Sequence, residues 1–215
     1  MTTAKEKPIL FSGPMVRAIL EGRKTQTRRI VKPQPPNGCE YVINGAYSHA
    51  LCYHADDPRI CVAPTPKSTD HRLPCPYGQP GDRLWVRETW APRGVYPVTR
   101  PDGKFGAAVI EYRADGQRAT WNHDPIQRIK DDWRPSIFMP RWASRITLEV
   151  TKVRVERLQD INRGGAMAEG CPFMNIAKMT KPLGWYRDLW ESINGPGSWA
   201  ANPWVWVVEF RRINQ

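Results

Sequence analysis

Twenty-one of the 215 residues are proline, about double the usual share of ~5%. A proline fixes φ and has no amide hydrogen, so inside a helix or a central strand it costs a hydrogen bond. Prolines at this density exclude a helical bundle and a long doubly wound sheet, and they call for short strands joined by many turns. They are also unevenly placed. Residues 33–80 hold 9 of the 21 Pro, 4 of the 5 Cys and 3 of the 4 His, with no sustained periodicity. That stretch reads as an irregular insertion within one domain spanning 1–215, since the length suits a single sizeable core.

The rest of the chain carries clearer patterns. Pro8 to Phe11 reads as a strand that feeds a short helix, with Ser12 or Gly13 as cap, Pro14 in the first turn and Gly22 as the stop. Met15, Val16, Ile19 and Leu20 form one apolar stripe on it. Arg83 to Trp90 alternates, with Leu84, Val86, Glu88 and Trp90 on one face, so a buried Glu88 must find a partner. Ala108 to Tyr112 is a further strand, closed by a turn at Asp115-Gly116, and 121–145 reads as an irregular, aromatic-rich connection. From Ile146 the alternation runs through Leu148 and Val150 and then slips phase to Val153 and Val155, the mark of a β-bulge. Asp160 to Gly170 and Gly184 to Asn194 read as helices, the second with a stripe of Trp185, Leu189 and Ile193; Trp204 to Phe210 reads as a last strand. Short strands with three short helices predict an α+β, mainly β fold built on a small, partly open barrel.

Charge narrows the function. Lys and Arg number 32 against 21 Asp and Glu, a net +11, and residues 1–36 alone hold 8 basic and 2 acidic side chains. Concentrated positive charge of this kind attracts phosphate, so nucleic acid or a nucleotide is the expected partner class. The mean hydropathy is −0.58, and no apolar run nears the ~20 residues of a membrane span. No signal-peptide core is present, which predicts a soluble, cytoplasmic protein with reduced thiols and no membrane partner. Neither a P-loop, a dinucleotide fingerprint, an H-E-x-x-H pair nor a nucleophile elbow occurs.

The densest chemistry lies in Gly22-Arg23-Lys24-Thr25-Gln26-Thr27-Arg28-Arg29. On a strand Lys24 and Thr27 point to opposite faces, but a turn after Gly22 lets both reach one cleft. A lysine held near other cations and desolvated becomes a base, and a neighbouring hydroxyl becomes a nucleophile or a water-orienting group. The same residues also make an ordinary solvated basic strand end. Tryptophans 85, 90, 121, 133 and 142 alternate with Arg83, Arg87, Arg134, Arg141 and Arg145, a pattern that stacks on bases or simply stabilises a surface. The candidate binding set is Arg23, Arg28, Arg29, Arg87, Glu88, Trp133, Arg141 and Trp142. In the insertion Cys52, His54, Cys61, His71 and Cys75 are of the types that hold zinc, though their spacings are not those of C-x2-C knuckles, and reduced Cys in a loop is the plainer reading.

The run Gly22, Lys24, Thr27, Arg29 after a short helix resembles the G-x-K-x-x-[ET]-x-R signature of the ASCH superfamily, a PUA-like β-barrel group. Pro8 to Arg29 and Gly81 to Trp90 resemble the matching segments of ASCH-domain proteins of bacteriophages and prophages. The long strand from Ile146, the helix with Ala168-Glu169-Gly170 and the strand Trp204 to Phe210 fit the same pattern. The resemblance implies a PUA-like barrel, an association with RNA or nucleotide chemistry, and a setting in the cytoplasm of a bacterial host. One small branch of the superfamily is an N4-acetylcytidine amidohydrolase that works with a Lys, a Thr and a Glu. Its Lys and Thr match Lys24 and Thr27, and its Glu is best matched by Glu169. On that resemblance the chain is expected to hydrolyse an acyl amide on a modified nucleoside without a cofactor. The other expectations are an RNA-binding module or ribonuclease using the same basic cleft, and an accessory protein whose barrel binds a host protein.

Overall fold

A computed structural model of the chain describes residues 4–35, 39–43, 49–54, 72–99, 105–121, 132–172 and 181–213. Its strands are β1 (Glu6–Leu10), β2 (Gln26–Ile30), β3 (Cys39–Ile43), β4 (His49–His54), β5 (Arg72–Pro74), β6 (Arg83–Arg87), β7 (Trp90–Thr99), β8 (Phe105–Tyr112), β9 (Arg118–Trp121), β10 (Thr147–Arg157) and β11 (Trp204–Ile213). Three α-helices occur among the described residues: α1 (Gly13–Leu20), α2 (Arg163–Ala168) and α3 (Pro182–Asn194). The fold is α+β and mainly β. No described helix is long and apolar enough to cross a membrane.

A five-stranded sheet in the order β1-β6-β10-β11-β2 forms the frame. Only β1 and β6 run parallel, with Glu6 opposite Arg83; β10 pairs antiparallel with both β6 and β11, and β11 with β2. The register of β10 on β11 shifts between Val150 and Lys152, where the sequence slips phase, and one extra residue is what such a bulge requires. The C-terminal strand is buried on both sides. Trp204, Trp206, Val208 and Phe210 pack with Val16 and Ile19 of α1, while Val205 and Val207 pack against α2 and α3. Each fully buried large apolar side chain stabilises by about 1.5–3 kcal/mol, and alternation down β11 therefore ties both helical layers to one strand.

Several expectations need correction. The insertion 33–80 is not irregular throughout, because β3, β4 and β5 form a three-stranded antiparallel sheet inside it. Glu40 to Ile43 and Ala50 to Tyr53 are short, aromatic and β-branched runs that pair with each other, which local periodicity alone does not reveal. The strand expected over 83–90 ends at Arg87, and Trp90 starts β7 in a third sheet, β7-β8-β9. On α3 the buried pair is Tyr186 and Trp190, while Ile193 of the expected stripe is 59% exposed. Trp185 and Leu189 are half-buried between the two clusters.

Candidate functional site

The signature residues are placed by the end of α1. Gly22 has φ +74, a left-handed conformation that glycine adopts freely. The backbone then folds back, and the amides of Arg23 and Lys24 both donate to the Ala18 carbonyl, at 2.9 and 3.0 Å. Thr25 donates to the Ala168 carbonyl at 2.9 Å, and Lys24 and Glu169 form an isolated antiparallel bridge. Gly170, φ +99, makes that approach feasible: a Cβ there would lie 2.9 Å from Ala18 Cβ and 3.1 Å from Lys24 Cβ.

Lys24 and Glu169 are each 3% exposed. Lys24 Nζ donates to Glu169 Oε2 at 2.7 Å and to the Glu169 carbonyl at 2.9 Å. The second carboxylate oxygen accepts from Arg28 Nη1 at 3.2 Å. Arg28 in turn donates to Glu156 Oε1 from Nη2 at 2.5 Å and from Nε at 3.0 Å. Glu156 accepts from Arg154 Nε at 2.9 Å, and Arg154 also pairs with Glu209. A chain of alternating charges thus runs from a buried lysine out to the half-buried face of β10. Burial pushes the Lys24 ammonium down from its ordinary value; the Glu169 charge opposes the shift, and the Arg29 and Arg28 charges add to it. A buried ammonium that can lose its proton is what a lysine base needs.

These groups line a cavity of about 550 Å3, within the range of small-molecule sites. Lys24, Thr27, Arg28, Arg29 and Glu169 all contribute to its wall, together with the end of β1, the segment after β5, and one side of α3. The expectation that a turn after Gly22 brings Lys24 and Thr27 to one cleft is met. Tyr186 and Trp190, on the same wall, were not anticipated. Burial, followed by the Glu169 charge, holds the Tyr186 phenol well above its ordinary value, so at neutral pH it stays a hydrogen-bond donor. Its ring lies under the Arg28 guanidinium, 5.8 Å from centroid to Cζ. The signal that could have found the pair is their i, i+4 spacing beside the stripe that sequence reading favoured.

The remaining predicted residues lie elsewhere. Arg23 caps the end of α2 by donating to the Gly170 carbonyl at 2.7 Å and also pairs with Glu21. Arg87 stacks over Trp85 at 4.7 Å. Glu88 is 2% exposed and holds a two-pronged pair with Arg145 at 2.9 and 3.0 Å, which supplies the partner its burial demands. Trp133 lies under both Arg93 and Arg113, Arg141 pairs with Glu6 at 2.9 Å, and Trp142 meets Trp90 edge-on at 6.1 Å. None of Arg23, Arg87, Glu88, Trp133, Arg141 and Trp142 lines the cavity. They are part of the packing around β6 and the third sheet and of the α2 end.

Of the zinc candidates, Cys61 and His71 lie outside the described residues, and Cys52 and His54 are placed only as backbone on β4. Cys75 is buried, and burial pushes its thiol up to about 11. No group of three metal-ligating side chains comes together among the described residues. Compared with protein-family models, with curated proteins and with solved structures, the chain matches none.

Proposed function

We propose that the chain is an amidohydrolase that removes an acyl group from the N4 amide of a cytidine-type substrate, with Lys24, Thr27 and Glu169 as its working set. The observation that carries this reading is the Lys24–Glu169 contact, 2.7 Å long and buried, on the wall of a substrate-sized cavity that Thr27 also lines. A salt bridge this dry is costly as a pair of charges. Transfer of one proton along the contact gives a neutral amine and a protonated carboxyl, the two forms the chemistry uses.

In the first step the Lys24 amine takes the proton of Thr27, or of a water held by it, as the oxygen forms a bond to the acyl carbon. Arg28, 3.2 Å from Glu169, brings positive charge to the cavity where the carbonyl oxygen becomes negative. Glu169 then gives its proton to N4 as the C–N bond breaks, releasing cytidine. With water as nucleophile the acid is released directly; with Thr27 as nucleophile a water hydrolyses the resulting ester. The cycle leaves Lys24 as the ammonium and Glu169 as the carboxylate, the charged contact from which it began. The sheet that frames the cavity corresponds, on the same proposal, to the PUA-like barrel of the ASCH superfamily, with β1 and β2 as its open seam.

A second reading, binding of RNA without catalysis, is favoured by the excess of basic side chains in residues 1–36. Incubation of purified protein with N4-acetylcytidine, followed by chromatography for cytidine, separates the two. The amidohydrolase reading predicts cytidine release that disappears in Lys24→Ala; absence of product from folded protein at high enzyme concentration rejects it in favour of binding.

A further inference from the structure

The charged lining of the cavity is unbalanced. Among the described residues, Lys24, Arg28, Arg29 and Lys32 stand against one carboxylate, Glu169. Lys24 and Arg28 share that carboxylate, and Arg28 has Glu156 besides. Arg29 and Lys32 form no ion pair with a carboxylate among the described residues. We infer that these two cations form a phosphate subsite on the cavity wall, so that a cytidine-type nucleotide is bound more tightly than the free nucleoside. The inference rests on the reading that the cavity receives a cytidine-type base.

Arg29 is built for the role. Its Nη2 donates to the Leu10 carbonyl at 2.7 Å and its guanidinium lies over the Phe11 ring, 5.3 Å from the centroid. These contacts fix the plane of the fork and leave further N–H donors uncommitted, which lowers the entropy cost of gripping a phosphate. Its charge is felt at Lys24, Tyr77 and Tyr186, so it stands among the cavity groups and not out in bulk solvent. Lys32 is exposed just past the end of β2 and adds a second positive charge. The wall also carries aromatic groups: Trp190 is 4% exposed and its indole N–H has no partner among the described residues, and the Tyr186 phenol lines the same cavity. A cavity wall that carries aromatic, donor-bearing side chains together with cations lacking a carboxylate partner offers contacts for both parts of a nucleotide, base and phosphate.

Calorimetric titration of the full chain at about 50 mM salt tests this with four ligands: cytidine, its 5′-monophosphate, its 3′-monophosphate and a short cytidine-containing oligoribonucleotide. The inference predicts that at least one phosphate-bearing ligand binds about 10- to 100-fold more tightly than cytidine, the worth of a charge-assisted hydrogen bond. Arg29→Gln and Lys32→Gln should each lower that affinity about 10-fold more than they lower the affinity for cytidine. Lys32→Gln alters an exposed position, so the test survives if Arg29→Gln fails to fold. Preference for a monophosphate assigns the phosphate to a free nucleotide, and preference for the oligonucleotide assigns it to an RNA backbone. Equal affinity for cytidine and all phosphate-bearing ligands overturns the inference, as does binding of none. Hydrolysis of N4-acetylcytidine, measured on the same preparation, keeps the two proposals apart. Turnover without phosphate preference overturns the subsite alone; phosphate preference without turnover overturns the amide chemistry and leaves the subsite standing.

Discussion

Glu169 accepts from two buried cations, and the consequences of losing either end of its contact with Lys24 are unequal. Glu169→Gln removes the only carboxylate bonded to Lys24 among the described residues, while Arg28 keeps Glu156. Lys24, 3% exposed, is then a buried cation with a backbone carbonyl and no counter-charge, a loss of about 3–5 kcal/mol. Lys24→Met is milder, because Glu169 keeps Arg28 at 3.2 Å; one charged hydrogen bond is lost, about 1.5–3 kcal/mol. The double variant Lys24→Met, Glu169→Gln removes both charges, so it should be more stable than Glu169→Gln alone by about 1–2 kcal/mol. Urea unfolding measures all four proteins, with stability read from the midpoint at constant slope. For a chain of this size each kcal/mol moves Tm by about 2–4 °C, so Glu169→Gln should melt about 6–20 °C lower. A Glu169→Gln protein within ~1 kcal/mol of wild type, or a double variant no more stable than that single one, would refute the reasoning that Lys24 is charged and buried against Glu169.

Two further outcomes follow from the same geometry. Gly170→Ala forces a Cβ to 2.9 Å from Ala18 Cβ at a backbone angle of φ +99, which should cost about 2–4 kcal/mol in thermal unfolding and disturb Lys24. Burial raises the Cys75 thiol from 9.0 to about 11. Between those values the unfolded chain has lost the proton and the folded chain has kept it, so stability is full below pH 9 and falls as pH rises to about 11. At ~1.4 kcal/mol per pH unit this removes about 3 kcal/mol, and the loss should be absent in Cys75→Ala followed by urea unfolding across that range.

Much of the frame was legible in the residues themselves. The phase slip after Val150 located the bulge, Gly22 located the turn that brings Lys24 and Thr27 together, and the apolar run Trp204 to Phe210 located the last strand. These are local signals. The contact between Lys24 and Glu169 spans 145 positions, and only the resemblance of the Ala168-Glu169-Gly170 helix pointed to it. Arg28 with Glu156, a pair 128 residues apart, had no signal, because a charged residue on a strand reads the same whether solvated or paired. Tyr186 and Trp190 were hidden by an adjacent stripe of equal apolarity. The Arg and Trp residues of 83–145 were legible as neighbours, but sequence gave no means of telling stacking on one another from stacking on a base.

The central claim is that the buried Lys24–Glu169 pair hydrolyses an amide with Thr27 beside it, and its most direct test is kcat/KM for an N4-acylated cytidine substrate. Wild type, Lys24→Met and Thr27→Val should be compared after each is shown to be folded. The account predicts cytidine release by the wild type, reduced at least ~10²-fold in each variant, the worth of a positioned general base or nucleophile. Release at an undiminished rate by a folded Lys24→Met protein, or no release by the wild type, would contradict it.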